Sequence, residues 1–201
     1  MVGCDPDTHP VVRPGKHVLR RYVACIGAAW GLMAASAHAQ PPKPTEYQVK
    51  AAYLYNFGKF VAWPDKAKSL DSGDAFHVCI LGDDPFGNSL DTTVSDETVD
   101  GKKVVVKRIP RVQDASSCRI VFISRSEKVR VKALMPALDA GTALTVSDIP
   151  GFTDVGGMIE FVIEENRVRF IVNLDAAQHA GLSLSSELLK VALGVKSKGG
   201  H

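Results

Sequence analysis

The residues of this chain with types suited to chemistry are few. Asp83-Asp84 sets two carboxylates side by side just before Pro85. Such a pair can bind a cation, but neighbouring side chains in a turn diverge, which disfavours shared acid–base work. Turn formation ahead of a proline accounts for both aspartates equally well. Further on, Ser124 and Glu127 bring a hydroxyl and a second carboxylate. Ser124 also suits the cap of a following helix. Apart from His201, only His77 and His179 follow residue 39. One falls within an apolar strand-like run and the other mid-helix, which is poor material for a metal site. The chain has no G-x-S-x-G elbow, P-loop, G-x-G-x-x-G, H-E-x-x-H or C-x-x-C. With no paired nucleophile and base, the sequence predicts a protein that is not an enzyme and uses no metal or cofactor.

Cysteine is the other reactive type, and its meaning depends on compartment. Arg13, Lys16, Arg20 and Arg21 form a basic stretch, Tyr22 to Ala35 is apolar, and Ala37-His38-Ala39 offers small residues before Gln40. That order is the layout of a secretory signal peptide. Its apolar run, about 14 residues, falls short of the ~20 that span a bilayer. Residues 1–39 are therefore expected to be an N-terminal extension and signal peptide cleaved near Ala39-Gln40. Residues 40–201 then form one exported domain, with no direct membrane insertion after cleavage. Cys4 and Cys25 leave with the leader, and Cys79 and Cys118 remain. An oxidising compartment favours their pairing as a disulfide; two free buried thiols are the alternative.

The whole chain of 201 residues is 45% hydrophobic and 23% charged, with a formal net charge of +2. Those are globular proportions. Four of the 24 basic and two of the 22 acidic residues lie in 1–39, which leaves 20 of each. A neutral domain carries no electrostatic footprint for nucleic acid or an anionic surface.

Several elements must position these residues. Thr45 with Gln48 makes a capping box, and Tyr47, Ala51, Leu54, Gly58 and Val61 recur at helical spacing up to Pro64. A polar turn from Lys66 to Asp74 follows. The runs Phe76–Leu81, Lys103–Ile109, Cys118–Ile123 and Ala143–Val146 read as strands. A weak helix is expected over Phe86–Thr93 and a firmer one over Glu127–Ala140. Met158–Ile163 and Arg167–Asn173 suit a hairpin with a short loop. Helices from Asp175 to Ala180 and after Ser185 or Ser186 close the chain. Strands alternating with helices predict an α/β layered single domain with a mainly parallel, mixed sheet, a C-terminal β-hairpin and flanking helices.

If the first three strands take the spatial order 2-1-3, the strands bearing Cys79 and Cys118 are neighbours. Ligands of such sheets bind beyond the carboxyl ends of parallel strands. There Asp83, Asp84, Ser124 and Glu127, with Ser147-Asp148 after the next strand, would share one edge, and the first four are the candidate ligand site. Twelve aromatic residues follow residue 39. Six of them, Tyr47, Tyr53, Tyr55, Phe57, Phe60 and Trp63, crowd the first helix and point to several sides of it. Either core surrounds that helix, or part of it meets a partner. Tyr53, Phe57 and Trp63 are candidate contacts. Phe152, beside Gly151 in a glycine-rich loop, is expected to be exposed or partly buried and is the first candidate for such a contact.

With these residues in place, the chain resembles the YfiR-like periplasmic proteins. The resemblance rests on Tyr47 to Phe57 with Phe60 and Trp63-Pro64, on Gly82-Asp83-Asp84-Pro85-Phe86-Gly87, and on Phe122-Ile123-Ser124 with Ser126-Glu127. It continues through Gly156-Gly157-Met158-Ile159, Asn166 to Phe170, and Asn173 to Ala177 with the Ser185-Ser186 helix. It implies a periplasmic repressor that holds an inner-membrane diguanylate cyclase inactive through the enzyme's periplasmic sensor domain, lowering cyclic di-GMP and restraining biofilm formation. It also implies an oxidation-sensitive disulfide, which Cys79 and Cys118 match. A second bridge nearer the C-terminus has no counterpart, because no cysteine follows Cys118. The partner identity follows from the resemblance alone, and a monomer and a homodimer are both compatible with it. The competing reading is a periplasmic small-ligand sensor or enzyme that uses the carboxyl-end edge. An exposed apolar groove would favour the repressor, and a deep polar pocket with convergent carboxylates the sensor.

Overall fold

The computed structural model describes residues 43–64, 75–139 and 141–197. The expected leader with its cleavage point, the first residues of the proline-rich lead-in, and the polar turn from Lys66 to Asp74 lie outside the described residues.

The first helix forms as its sequence predicts. Helix α1 (Glu46–Phe60) starts at Thr45, whose hydroxyl accepts the Gln48 N–H at 3.3 Å while the Gln48 side chain accepts the Thr45 N–H at 2.7 Å. It ends three residues ahead of Trp63. Val61 turns extended and opens β1 (Val61–Ala62), which pairs antiparallel with β9 (Ser183–Leu184).

The main sheet has eight strands. They are β2 (Ala75–Leu81), β3 (Thr98–Val99), β4 (Lys102–Ile109), β5 (Ile120–Ile123), β6 (Leu144–Ser147), β7 (Ile159–Glu164), β8 (Arg167–Asn173) and β10 (Gly194–Lys196). Their order is β10-β8-β7-β6-β5-β2-β4-β3. All neighbours are parallel except the hairpin β7–β8 and the pair β3–β4. The order 2-1-3 expected of the first three long strands is observed as β4-β2-β5. The hairpin turns on two residues, Glu165 and Asn166, both at positive φ, as a type I′ turn requires.

Helices α2 (Asn88–Val94), α3 (Val131–Asp139), α4 (Leu174–His179) and α5 (Ser186–Val191) are the other α-helices among the described residues. Two differ from expectation. Phe86 stays outside α2 because its N–H is taken by the Asp84 carboxylate at 2.7 Å. The segment from Glu127 is also divided. A 3-10 turn (Arg125–Glu127) precedes α3, which begins only at Val131.

Burial follows strand alternation. On β2, Phe76, Val78 and Ile80 face one core, while Cys79 and Leu81 face another. On β5, Ile120 and Phe122 divide from Val121 and Ile123 in the same way. The first core lies under α1, α2 and α5. The second lies under α3 and contains both cysteines, which form a disulfide with their Cα atoms 5.9 Å apart. Each fully buried aliphatic or aromatic side chain here contributes about 1.5–3 kcal/mol relative to exposure.

Candidate functional site

The carboxyl-end edge gathers the residues expected there. Gly82 ends β2 at φ 91°, a conformation that suits glycine. Into the space left by its missing side chain come Ser126 and Glu127. The Asp83 N–H donates to the Ser126 hydroxyl at 2.9 Å, and the Ser124 N–H donates to the Leu81 carbonyl at 3.0 Å. Asp83, Ser124 and Glu127 therefore do share one edge. The crevice between β2 and β5, where an open sheet of this order would hold a ligand, is filled by the 3-10 turn.

The side chains at this edge are largely committed. Ser124 is buried and its hydroxyl accepts the Ser126 N–H. Glu127 is 4% exposed and accepts both Nε and Nη2 of Arg130. Asp84 takes the Phe86 N–H on one oxygen and Arg108 Nε, at 2.9 Å, on the other. Arg108 also bonds Asp91, and this guanidinium holds the Asp91 carboxyl below its usual range. Asp83 alone of the four is exposed.

One step along the edge, Asp148, expected there, belongs to a charged cluster whose other member, Lys50, the sequence did not single out. Lys50, in α1, is 1% exposed, and its Nζ lies 2.5 Å from Asp148 Oδ2 and 2.5 Å from Glu46 Oε1. Asp148 directly follows β6 and is itself 2% exposed. The Tyr47 hydroxyl donates to the same Oδ2 at 2.9 Å, and Arg125 Nε approaches it at 3.3 Å. Lys50 Nζ also sits 4.4 Å from the centre of the Tyr47 ring. Burial, then the Asp148 charge, pushes the Tyr47 phenol up to about 12. Asp148 Oδ1 is buried and accepts no hydrogen bond from a described residue. The signal for Lys50 was its position one turn before Leu54 and two before Phe57, on the arc that apolar residues claim.

The four expected partner contacts divide. Phe152, expected at the surface, is fully buried in the second core. The 3-10 turn (Phe152–Val155) folds its ring inward, and buried Glu160 holds that turn through the N–H groups of Gly151 and Thr153. Phe57 is 1% exposed, and Trp63 is buried edge-on against Phe76. The aromatic helix thus turns one face, with Tyr55 and Phe57, into the core and leaves Phe60 exposed, because α1 lies on the sheet with Phe57 against Phe161 and Phe170. Tyr53 reaches the surface in part.

Beside Tyr53 the surface is apolar. Tyr53, Phe57, Phe60, Phe170, Leu188 and Val191 line a groove of about 250 Å³ between α1, β8 and α5. Phe60 is 40% exposed and Val191 56%. A groove of this kind presents aromatic and aliphatic anchors to a partner rather than converging polar groups.

Comparison with known proteins gives one strong match. The YfiR/HmsC-like family matches residues 47–193. No curated protein matches the chain. Among solved structures, the chain is similar to a conserved domain protein from Vibrio cholerae O1 biovar El Tor at 10% identity and a TM-score of 0.46, covering 66% of this chain and 58% of that one. It is also similar to the ABC domain in complex with L-Trp from Streptococcus pneumonia, at 12% identity and a TM-score of 0.45, covering 65% and 58%. The chain therefore spans less than two thirds of the length of either. Among the described residues no helix is long and apolar enough to cross a membrane.

Proposed function

The chain belongs to the YfiR/HmsC-like family, and from that premise we propose that it is an exported repressor of an inner-membrane diguanylate cyclase. The family supports a periplasmic regulatory role, that of a regulator rather than an enzyme. The finer reading is that residues 1–39 direct export and are removed near Ala39-Gln40. The domain 40–201 then binds the cyclase's periplasmic sensor domain and lowers cyclic di-GMP. A repressor of this kind acts only by binding one state of its target more tightly than another.

The observation that carries the proposal is the apolar groove beside Tyr53. It supplies exposed anchors, Phe60 and Val191, on a domain whose carboxyl-end carboxylates are mostly engaged in holding the fold. That contrast favours a protein-binding role over a small-ligand sensor or enzyme at the edge. The contact surface accordingly moves from Phe152 and Trp63 to Tyr53, Phe60 and Val191.

Photo-crosslinking in cells tests this directly. A photoreactive residue at position 60 should capture a membrane diguanylate cyclase, and one at the fully exposed Val129 should not. Capture of no cyclase at position 60, or equal capture at both positions, overturns the proposal.

A further inference from the structure

Apolar packing holds α1 on the sheet but constrains its turn less sharply than a buried directional contact does. Its buried residues, from Phe57 through Lys50 to Tyr55, cover an arc of about 160° at 100° per residue. Tyr53 and Phe60 flank that arc on one side. Turning the helix by about 60° would exchange Tyr55 and Ala51 for Tyr53 and Phe60, leaving an aromatic and apolar face inward in either arrangement. Apolar burial is non-directional and discriminates weakly between the two.

Two contacts on that face are directional: the Tyr55 hydroxyl donates to the partly exposed Glu97 at its edge, and Lys50 makes the fully buried one. Its ammonium meets Asp148 at 2.5 Å with both side chains 1% exposed. Asp148 is not free to follow a turning helix. It continues β6, whose Ser147 is in register with Ile123 on one side and Glu160 on the other. The Ser147 hydroxyl also donates to the Ile123 carbonyl at 2.7 Å and accepts the Ile149 N–H at 3.0 Å. Tyr47 and Arg125 bond the same carboxylate from α1 and from the end of β5. Any other rotation or axial shift of α1 leaves a buried ammonium and a buried carboxylate apart, which burial penalises heavily.

We infer that the Lys50–Asp148 pair is a positioning element that fixes the rotation and register of helix α1, and so the shape of the groove between Tyr53, Phe60 and α5. The positioning stands on the geometry. Its consequence for a partner rests on the repressor function proposed above.

The test replaces the pair with apolar residues of similar size, Lys50→Met with Asp148→Leu. Nitroxide labels at the exposed positions 52 and 164, both outside the groove, report the distance from α1 to the hairpin, and the native cysteines stay bridged. The wild type should give one narrow distance. The double variant should unfold cooperatively with a melting temperature close to wild type, yet give a broadened or two-population distance and at least a tenfold loss of repression. Asp148→Asn keeps an acceptor for Lys50 and should retain the single distance. A folded double variant with the wild-type distance overturns the inference. So does one that fails to fold, since the pair would then serve stability rather than position. A broadened distance beside full repression counts against the groove as the repressing contact and leaves the positioning intact.

Discussion

Gly157 lies so close to the ring of Phe152 that a β-carbon on it would fall well inside 3.0 Å of three ring atoms. The Gly157 N–H also donates to the Phe152 carbonyl at 2.9 Å, closing the turn that carries the ring inward. Gly157→Ala should therefore destabilise the fold by about 1–3 kcal/mol, as overpacking does. Phe152→Ala should cost about 3–5 kcal/mol. Because the two share one contact, the double variant should cost clearly less than the sum. Urea unfolding of the three variants measures this, and additive losses would contradict the contact.

The Cys79–Cys118 bridge closes a separation of 39 residues. By the chain-entropy argument it contributes roughly 4 kcal/mol, chiefly by restricting the unfolded chain. Thiol titration of the unfolded, unreduced protein should find no free thiol in the domain. Cys118→Ser should lower the melting temperature substantially. Finding two free thiols would remove the bridge from the account.

Tyr47 should make the alkaline side of the stability curve steeper. Its phenol is raised from 10.0 to about 12 in the folded chain, by burial and then by Asp148. The unfolded state thus loses that proton first, so the stabilisation is complete below about pH 10 and is lost as pH rises towards 12. Tyr47→Phe should flatten the decline across that window. An unchanged slope would show that the phenol is not held in its protonated form.

Phe60→Asp should separate folding from repression. At 40% exposure its ring contributes little to the core, so the melting temperature should stay within a few degrees of wild type. Cyclase activity in cells should rise at least tenfold if the ring is a binding anchor. Full repression by the folded variant would remove Phe60 from the contact.

The sheet was legible because its long strands carry their own periodicity. The runs around Val78, Val105 and Val121 are apolar and bounded by turn residues, and right-handed crossovers then leave few orders for them. Strands β1, β9 and β10 were not legible, since two or three residues are too few to show alternation. The edge residues were found together, but their engagement was hidden. Whether Glu127 faces solvent or Arg130 depends on where the chain turns before α3. Phe152 was misplaced for a related reason. The sequence shows a phenylalanine between glycines, whereas that loop is held inward by residues of later strands, the buried Glu160 with Asn173 and Lys196. Lys50 hid behind its type, because a lysine in an amphipathic helix ordinarily reaches water.

The partnership of Lys50 with Asp148 also bears on the order in which the domain assembles. The two residues are 98 apart in sequence, whereas the β7–β8 hairpin closes over two. Contacts over long separations form late, because loop closure must be met before they return anything. Helix α1 is thus the first described element to be synthesised and among the last able to dock. Until β6 has joined the sheet its lysine has no Asp148 across from it, and until β7 and β8 follow, Phe57 has neither Phe161 nor Phe170 beneath it. A chain interrupted before residue 148 would present both to water, which makes α1 the segment most in need of protection while the rest of the domain folds.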